Sequence, residues 1–277
     1  MIEIRNVSYS YRDGEKRINA LRNINLDIRQ GEWVSITGMN GSGKSTLSRL
    51  FNGLLVPTEG TVHVGGLQLK DSDNLRIIKQ KLQVVFQNPD AQTVGSTLVE
   101  DIAFGLESRG LTRYEIKYRI EAALKKVDLT HKLLEEVSSL SGGQRQRLAI
   151  ASCLALEPEY LVFDESTSML DPMGRKEIYK LARSLWRKGI TVIWITQRLE
   201  EVATAGRVVI LEQGSIRFDG TATELFYESS LPLEYRWDPP AVIRIGLLLK
   251  EQGIALEDLP LEEEELDNFA CELNLQT

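Results

Sequence analysis

Apolar and polar residues alternate along the first 65 residues, and later in the chain strand patterns are separated by helical ones. The early alternation predicts an antiparallel sheet built from "IEIRNVSYSY", "LRNINLDI", "WVSIT" and "GTVHVGG". In the second half, helical patterns separate the strands "YLVFDE", "ITVIWIT" and "RVVILE". Such an order predicts βαβ units and a parallel sheet, so the chain belongs to the α/β class. Between the two regions, residues 90–140 lack strand signals and predict a helical insertion, whereas "VVILEQGSIRFDG" predicts a hairpin near the end.

A glycine-rich loop joins the strand "WVSIT" to a helix. The stretch "GMNGSGKST" fits G-x-x-x-x-G-K-[ST] and has the strand–loop–helix context that this phosphate-binding motif needs. Its backbone N–H groups would wrap a nucleotide β-phosphate, Lys44 would pair with the β- and γ-phosphates, and Ser45 would offer a hydroxyl to Mg²⁺. A glycine-rich turn with a chance Lys-Ser is the alternative. The predicted ATP-binding residues of the loop are Gly38, Asn40, Gly41, Ser42, Gly43, Lys44, Ser45 and Thr46.

Two carboxylates, Asp164 and Glu165, end the apolar stretch "YLVFDE". Carboxylates at the end of a buried strand are costly unless positive charge is near. In a protein with a phosphate-binding loop, Asp164 would hold Mg²⁺ and Glu165 would polarise the attacking water as a general base. Without that loop, an ordinary strand exit would be an equally good interpretation.

A third motif, "LSGGQRQR", has the chemistry of a second phosphate cradle. Ser141, Gly142 and Gly143 begin a predicted helix, so their N–H groups and the serine hydroxyl can bind a γ-phosphate, and Gln144 completes the predicted set. With the first loop and the Asp-Glu strand end, this motif resembles the ATP-binding cassette (ABC) ATPases over residues 1–230. The resemblance implies a P-loop NTPase of the ABC cassette type, with an antiparallel β subdomain and a helical subdomain at about 90–155. It also implies a head-to-tail dimer with ATP between one P-loop and the partner's "SGGQ".

The resemblance assigns roles to four further positions. Tyr11 is expected to stack on adenine, with a plain strand aromatic as the alternative, and Gln87 to sense Mg²⁺ and the lytic water. Asp171 matches the loop that crosses the dimer interface. Gln197 stands where the family normally has a histidine that contacts the γ-phosphate. Because an amide can donate to phosphate but cannot titrate, we expect hydrolysis to be slowed rather than abolished.

The stretches "VFQNPDAQTVGSTLVEDIAFG" and "DESTSMLDPMGR" resemble the ATPase subunits of energy-coupling factor transporters, which take up vitamins or metal ions, and "SMLDP" resembles the first of their two paralogous ATPases. This resemblance implies ATP and Mg²⁺ as cofactors, and a second cassette, paralogue or self, as partner. It further implies a transmembrane T component, a substrate-binding S component, and a peripheral location on the cytoplasmic face of the cell membrane. Asp90, Glu100 and Asp101 are expected either to meet arginines of the T component or to be a solvated helix face.

Charge is concentrated at the C-terminal end. The net charge is −7, and residues 241–277 hold nine acidic and two basic residues, so the first 240 are neutral overall. Residues 231–277 therefore predict an acidic helical extension, either a solvated face or a docking surface for a basic partner, and the resemblance to the energy-coupling factor ATPases implies that it helps to hold the two ATPases together. An acidic extension argues against nucleic acid as a partner.

Other bulk features point to a reduced, cytosolic protein. No apolar stretch approaches the roughly 18 residues of a membrane span, the N-terminus opens as a strand, and Cys153 and Cys271 lie far apart. His63 and His131 fit structural or surface roles. Two functions compete with a transport motor: a cassette ATPase acting on nucleic acid or ribosomes, and a non-catalytic, ATP-gated partner of an active paralogue, which Gln197 favours.

Overall fold

The structure, a computed structural model, describes residues 1–14, 16–107, 109–253 and 259–266. In chain order its strands are β1 Ile2–Asp13, β2 Lys16–Ile28, β3 Trp33–Thr37, β4 Glu59–Val64, β5 Leu67–Gln68, β6 Leu82–Val85, β7 Tyr160–Asp164, β8 Thr191–Ile195, β9 Arg207–Glu212 and β10 Ser215–Gly220. Its helices are α1 Lys44–Phe51, α2 Ser72–Lys81, α3 Leu98–Glu107, α4 Arg113–Lys126, α5 Gly142–Ala155, α6 Pro172–Arg187, α7 Leu199–Ala203, α8 Leu231–Glu234 and α9 Ala241–Glu251. Short 3₁₀ turns cover Pro89–Ala91, Thr130–Lys132 and Val137–Ser139, and a π-helical turn covers Glu224–Glu228.

Two sheets organise these elements. The central sheet has the order β10-β9-β3-β8-β7-β6, in which β10 pairs antiparallel with β9 and the other neighbours pair in parallel. The second sheet has the order β2-β1-β4-β5 and is antiparallel. The parallel sheet and the β9–β10 hairpin are confirmed. The placement of "WVSIT" in the antiparallel sheet is wrong, because β3 is buried along its whole length and pairs in parallel with β8 and β9, as central parallel strands do.

The central sheet separates two apolar cores. Along β8, Val192 and Trp194 point into a core shared with the helices that follow β6, whereas Ile193 and Ile195 point towards α1 and the antiparallel sheet. This follows from the alternation of side chains across a strand. Burial on both faces explains why β8 is a continuous apolar run, and it leaves only the strand end free to present polar groups.

The predicted helical insertion between residues 90 and 140 is confirmed, because α3 and α4 lie there and pack against α5. Helix α4 begins with a reciprocal hydrogen-bonded cap between Thr112 and Glu115. The sequence patterns do not identify α2 or β6. Strand β6 is only four residues long, which is too short for a periodic signal, yet it forms the edge of the central sheet beside β7.

The C-terminal extension packs on the cassette where it is described. Leu231, Val242 and Ile243 are buried in the same core as the helices of the cassette, and Tyr227 Oη donates to the Pro260 carbonyl at 2.6 Å. The boundary at residue 230 and the role in dimerisation stay predictions, and the acidic residues Glu257, Asp258, Asp267 and Glu272, together with Cys271, lie outside the described residues. In the described part of the chain, no helix has the length and apolarity to cross a membrane.

Candidate functional site

The site lies at one edge of the central sheet. Strands β3, β8 and β7 are parallel neighbours, so their carboxyl ends reach the same edge. The glycine loop follows β3, Asp164 and Glu165 stand at the end of β7, and Gln197 comes two residues after β8. Ligand sites in open α/β sheets occur at this edge, and the topology therefore brings together residues that are more than 100 positions apart.

Backbone geometry explains two of the loop glycines. Gly38 has φ +144° and a Cβ there would lie 2.1 Å from the Leu211 carbonyl oxygen. Gly43 has φ +107° and a Cβ there would lie 2.6 Å from the Ala20 carbonyl oxygen. Both contacts are with backbone atoms that cannot yield, so only glycine fits, and the chain can turn tightly into α1.

Lys44 points back across the loop. Its Nζ donates to the carbonyl oxygens of Gly38 at 2.8 Å and Met39 at 3.1 Å, and it lies 3.7 Å from Glu165 Oε1. The side chain is 5% exposed. Burial lowers the pKa of Lys44, while the carboxylates of Glu165 and Asp164 oppose that shift. A cation held at the mouth of the loop by neutral carbonyls can turn to phosphate oxygens.

Ser45 and Asp164 form an oxygen pair beside the lysine. Ser45 Oγ donates to Asp164 Oδ1 at 3.3 Å. Burial raises the pKa of Asp164, and the neighbouring Glu165 carboxylate raises it further. A hydroxyl and a carboxylate are the oxygen ligands that Mg²⁺ takes beside nucleotide phosphates, and a divalent cation would offset the cost of burying the carboxylate. The donor set fits Mg²⁺.

Gln197 connects the strand ends. Its Nε2 donates to Glu165 Oε1 at 2.8 Å and to Asn40 Oδ1 at 2.9 Å. Glu165 adopts φ +50°, and its own N–H donates to the Ile195 carbonyl at 3.0 Å. The structure thus brings Gln197, Glu165, Asn40 and Lys44 into one hydrogen-bonded and ionic cluster, with the Glu165 carboxylate at its centre.

Tyr11 and Gln87 lie at the periphery of this cluster. Tyr11 Oη is 3.2 Å from Thr46 Oγ1 in the first turn of α1, and its ring makes an edge contact with Tyr9 at 4.9 Å between centroids. Gln87 is exposed and follows β6 by two residues, at the same sheet edge as Asp164. Their predicted roles with adenine and with Mg²⁺ stay predictions.

The second motif and Asp171 are found at helix starts. Ser141 Oγ accepts from the Gln144 N–H at 3.3 Å and Gln144 Oε1 accepts from the Ser141 N–H at 3.0 Å, which closes a capping box on α5. The space around Gly142 and Gly143 is open within 4 Å of a built Cβ. Asp171 caps α6 by accepting from the Gly174 N–H at 2.6 Å. The helix start that carries "SGGQ" is therefore capped by its own side chains and open to solvent.

Both interpretations of Asp101, as an acid that meets the T component and as part of a solvated helix face, are wrong. Its side chain is buried and accepts from the N–H groups of Val94 and Gly95 and from Ser152 Oγ. These hydrogen bonds satisfy the buried carboxylate and fix the backbone ahead of α3, so its role is structural.

The other two acids are partly engaged. Asp90 pairs with Arg145 at 3.0 Å, and Glu100 accepts from the N–H groups of Ser96 and Thr97. Both remain on the surface, so the question of partner contact stays open for these two residues alone.

Sequence reasoning missed a set of polar residues behind the cluster of Lys44, Glu165 and Gln197. Glu201, in the first turn of α7, accepts from Trp194 Nε1, from Thr196 Oγ1 and from Thr167 Oγ1. Trp194 and Thr196 lie at the end of β8, whereas Thr167 follows β7, and the apolar and polar pattern of the sequence does not predict that these two segments meet one carboxylate.

Comparison with known proteins decides the family. A family model described as "ABC transporter" matches residues 21–168, more than half of the chain. The energy-coupling factor transporter ATP-binding protein EcfA1 of Clostridium novyi is 42% identical over 275 residues, covering 99% of this chain and 98% of the relative. The chain belongs to the ABC transporter family, among the energy-coupling factor ATP-binding proteins. It shares the enzyme class of that family, an ATPase coupled to transport.

Further relatives agree with this assignment. The EcfA1 protein of Halalkalibacterium halodurans is 43% identical over 259 residues, with 94% and 93% of the two chains covered. Among solved structures, cbiO1 of Clostridium perfringens, part of the ABC transporter complex cbiONQ, matches with a TM-score of 0.75 at 33% identity, covering 90% of this chain and 98% of that one. The ATP-binding cassette MJ0796, solved as a dimer with ADP and Pi, matches with a TM-score of 0.73 at 33% identity, covering 80% and 99%. The ABC cassette fold is thus confirmed.

Proposed function

We propose that this chain is the ATP-binding and ATP-hydrolysing motor subunit of an energy-coupling factor importer for vitamins or metal ions. It works as a head-to-tail dimer with a second cassette, on a transmembrane T component that carries a substrate-binding S component. Its place is the cytoplasmic face of the membrane, and nucleic acid is not a partner. The names of the relatives support the type of transporter. The transported substrate is determined by the membrane subunits.

The convergence of Lys44, Glu165 and Gln197 at one sheet edge carries this proposal, with Ser45 and Asp164 beside them. Lys44 pairs with the β- and γ-phosphates once it leaves the Gly38 carbonyl. Mg²⁺, held by Ser45 and Asp164, would supply charge neutralisation on the phosphate oxygens. Glu165 accepts a proton from the attacking water, and the Gln197 amide keeps that carboxylate oriented.

A second cassette is needed because the P-loop and the "SGGQ" helix start are separate surfaces. Ser141 and Gly142 are exposed, and the capping box engages the N–H groups of Ser141 and Gln144 but leaves those of Gly142 and Gly143 without an intrahelical acceptor. Such a helix start binds anions. We place the γ-phosphate of the partner's ATP there, with Asp171 close to the junction and the acidic extension adding dimer contacts.

The test is hydrolysis by the chain co-expressed with its second cassette. We expect Glu165→Gln to reduce Mg²⁺-ATP hydrolysis at this site by about 10²-fold or more, while the affinity for a fluorescent ATP analogue stays close to that of the wild type, because the change removes a base but no phosphate contact. Lys44→Ala is the matched control and should lose nucleotide affinity as well. Wild-type hydrolysis in Glu165→Gln would contradict the proposed role.

The second candidate is an ATP-gated partner with impaired catalysis. The observation in its favour is that Gln197, which cannot titrate, has its amide engaged by Glu165 and Asn40. Turnover measured for this chain alone and with an active paralogue separates the two functions. If the chain is a motor subunit, it hydrolyses ATP bound at its own P-loop. If it is an ATP-gated partner, it only stimulates ATP hydrolysis by the paralogue.

A further inference from the structure

A cluster of hydrogen bonds behind the catalytic edge is centred on Glu201. Its Oε2 accepts from Trp194 Nε1 at 2.8 Å and from Thr196 Oγ1 at 2.6 Å, and its Oε1 accepts from Thr167 Oγ1 at 3.1 Å. Both threonines are almost fully buried, at 2% and 3% exposure. Buried hydroxyls need partners, so one carboxylate satisfies three donors that would otherwise be unpaired.

The donors belong to the two loops that carry the catalytic residues. Thr167 follows Glu165 by two residues, and Thr196 immediately precedes Gln197. The Thr196 hydroxyl also accepts from the Arg198 N–H at 3.1 Å, so it ties down the backbone on the far side of Gln197. Glu201 therefore joins the two loops from behind, opposite the direct Gln197–Glu165 hydrogen bond.

The helix that bears Glu201 is itself fixed to the body of the cassette. Just after α7, the Thr204 carbonyl accepts from Arg183 Nη1 at 3.2 Å, and the Thr204 hydroxyl is hydrogen-bonded to Tyr179 Oη. The Arg183 guanidinium lies 5.2 Å from the ring centroid of Trp33. A five-residue helix is not stable alone, but these contacts with α6 and β3 hold α7, and with it the Glu201 carboxylate, in place.

We propose that Glu201 is a positioning residue for hydrolysis: it holds the Thr167 and Thr196 loops so that Glu165 and Gln197 meet in the productive arrangement. The proposal rests on the proposed function of the site. Glu201 touches neither the nucleotide loop nor the Glu165 carboxylate, so it acts through the two threonines. Its loss should lower kcat and leave the KM for ATP nearly unchanged, because Lys44 and the P-loop do not depend on it.

The hydrogen-bond pattern predicts which substitution is tolerated. A glutamine at position 201 can accept from Trp194 and Thr196 through its amide oxygen and donate to Thr167 through its amide nitrogen, since a hydroxyl accepts as readily as it donates. Glu201→Gln therefore keeps the geometry and removes the charge. Glu201→Ala removes all three bonds.

The kinetic test compares these variants with a neighbour. We expect Glu201→Ala to reduce kcat by up to about 10²-fold, as small displacements of reacting groups do, and Glu201→Gln to retain most of the activity. Glu200→Ala is the matched control, because Glu200 is exposed in the same turn of α7, and its activity should equal that of the wild type. An unchanged kcat in Glu201→Ala would overturn the proposal, and so would an equal loss in Glu200→Ala, since charge near α7 would then be the cause.

A second measurement does not depend on hydrolysis. Hydrogen exchange at the amides of residues 165–168 and 196–198 should speed up in Glu201→Ala and stay close to wild type in Glu201→Gln. Unchanged exchange in both segments refutes the positioning role. If the wild type shows no hydrolysis at its own site, the proposed function fails, while the exchange result still decides the role of Glu201.

Discussion

Replacing Gln197 by histidine tests how much the amide limits hydrolysis. Gln197 Nε2 lies 2.8 Å from Glu165 Oε1, so the carboxylate already has one donor in place. What the amide lacks is the ability of imidazole to titrate and to carry positive charge beside a phosphate. Losing one preorganised transition-state contact typically costs about 10²–10³ in rate, or about 2.7–4 kcal/mol. Since Gln197 retains the contact with Glu165, we expect Gln197→His to raise the rate of hydrolysis by an amount near the lower end of this range, about 10²-fold.

The assay is a single turnover with protein in excess over radiolabelled ATP, so that one site is followed and product release does not limit the signal. The double variant Glu165→Gln/Gln197→His is the matched control and should stay inactive, because the gain needs the base. The histidine variant should also acquire an inflection in its pH–rate profile at about pH 6.5 that the wild type lacks. An unchanged single-turnover rate would refute the reasoning and remove Gln197 as an argument for impaired catalysis.

Two further predictions concern the P-loop and the helical core. Gly43→Ala should weaken ATP binding, measured by titration calorimetry, by about 10-fold or more. The backbone there has φ +107°, and the new Cβ would lie 2.6 Å from the Ala20 carbonyl oxygen, which together impose strain of about 1–3 kcal/mol. Gly41→Ala is the control and should lose less affinity, because the space around Gly41 is open. Burial raises the pKa of Cys153 to about 12, so a disulfide reagent at pH 8 should label it only as the protein unfolds, which is measured in a Cys271→Ser background. Rapid labelling of the native protein would contradict the burial of the thiol. The pKa of about 12 in the folded protein lies above the unfolded value of about 8.5, so the contribution of Cys153 to the free energy of unfolding should be complete below about pH 8.5 and be lost as the pH rises from there towards 12.

The arrangement of the candidate site could be predicted from the sequence because its determinants are local or follow from topology. The glycine loop has its strand and helix on either side in the printed sequence. The pairing of Ser45 with Asp164 is consistent with the topology, since the glycine loop before Ser45 leaves the end of β3 and Asp164 ends β7, at the same edge of the sheet. The contact of Gln197 with Glu165 follows from the same rule, since β7 and β8 are neighbours.

The errors arose where burial overrides the sequence pattern. The sequence pattern predicts that the five residues of β3 belong to the antiparallel sheet, because strand patterns precede and follow them, but both of their faces are covered. The pattern also predicts an exposed acid at Asp101, yet this carboxylate is buried and accepts from the N–H groups of Val94 and Gly95. Glu201 gave no signal, because its three donors are 5, 7 and 34 residues away and meet it only in the folded chain.

The hydrogen bonds of Gln197 must rearrange when phosphate binds. Its amide nitrogen has two hydrogens, and in this arrangement one is given to Glu165 and the other to Asn40. To donate to a γ-phosphate oxygen, the amide must release one of them. The bond to the Glu165 carboxylate is charge-assisted and roughly twice as strong as the bond to the neutral Asn40 amide, so exchange of Asn40 for phosphate costs less. A neutral histidine has a single N–H and could not make both contacts at once. Glutamine at this position therefore keeps Glu165, the proposed general base, oriented, while its second hydrogen can pass from the Asn40 side chain to the nucleotide.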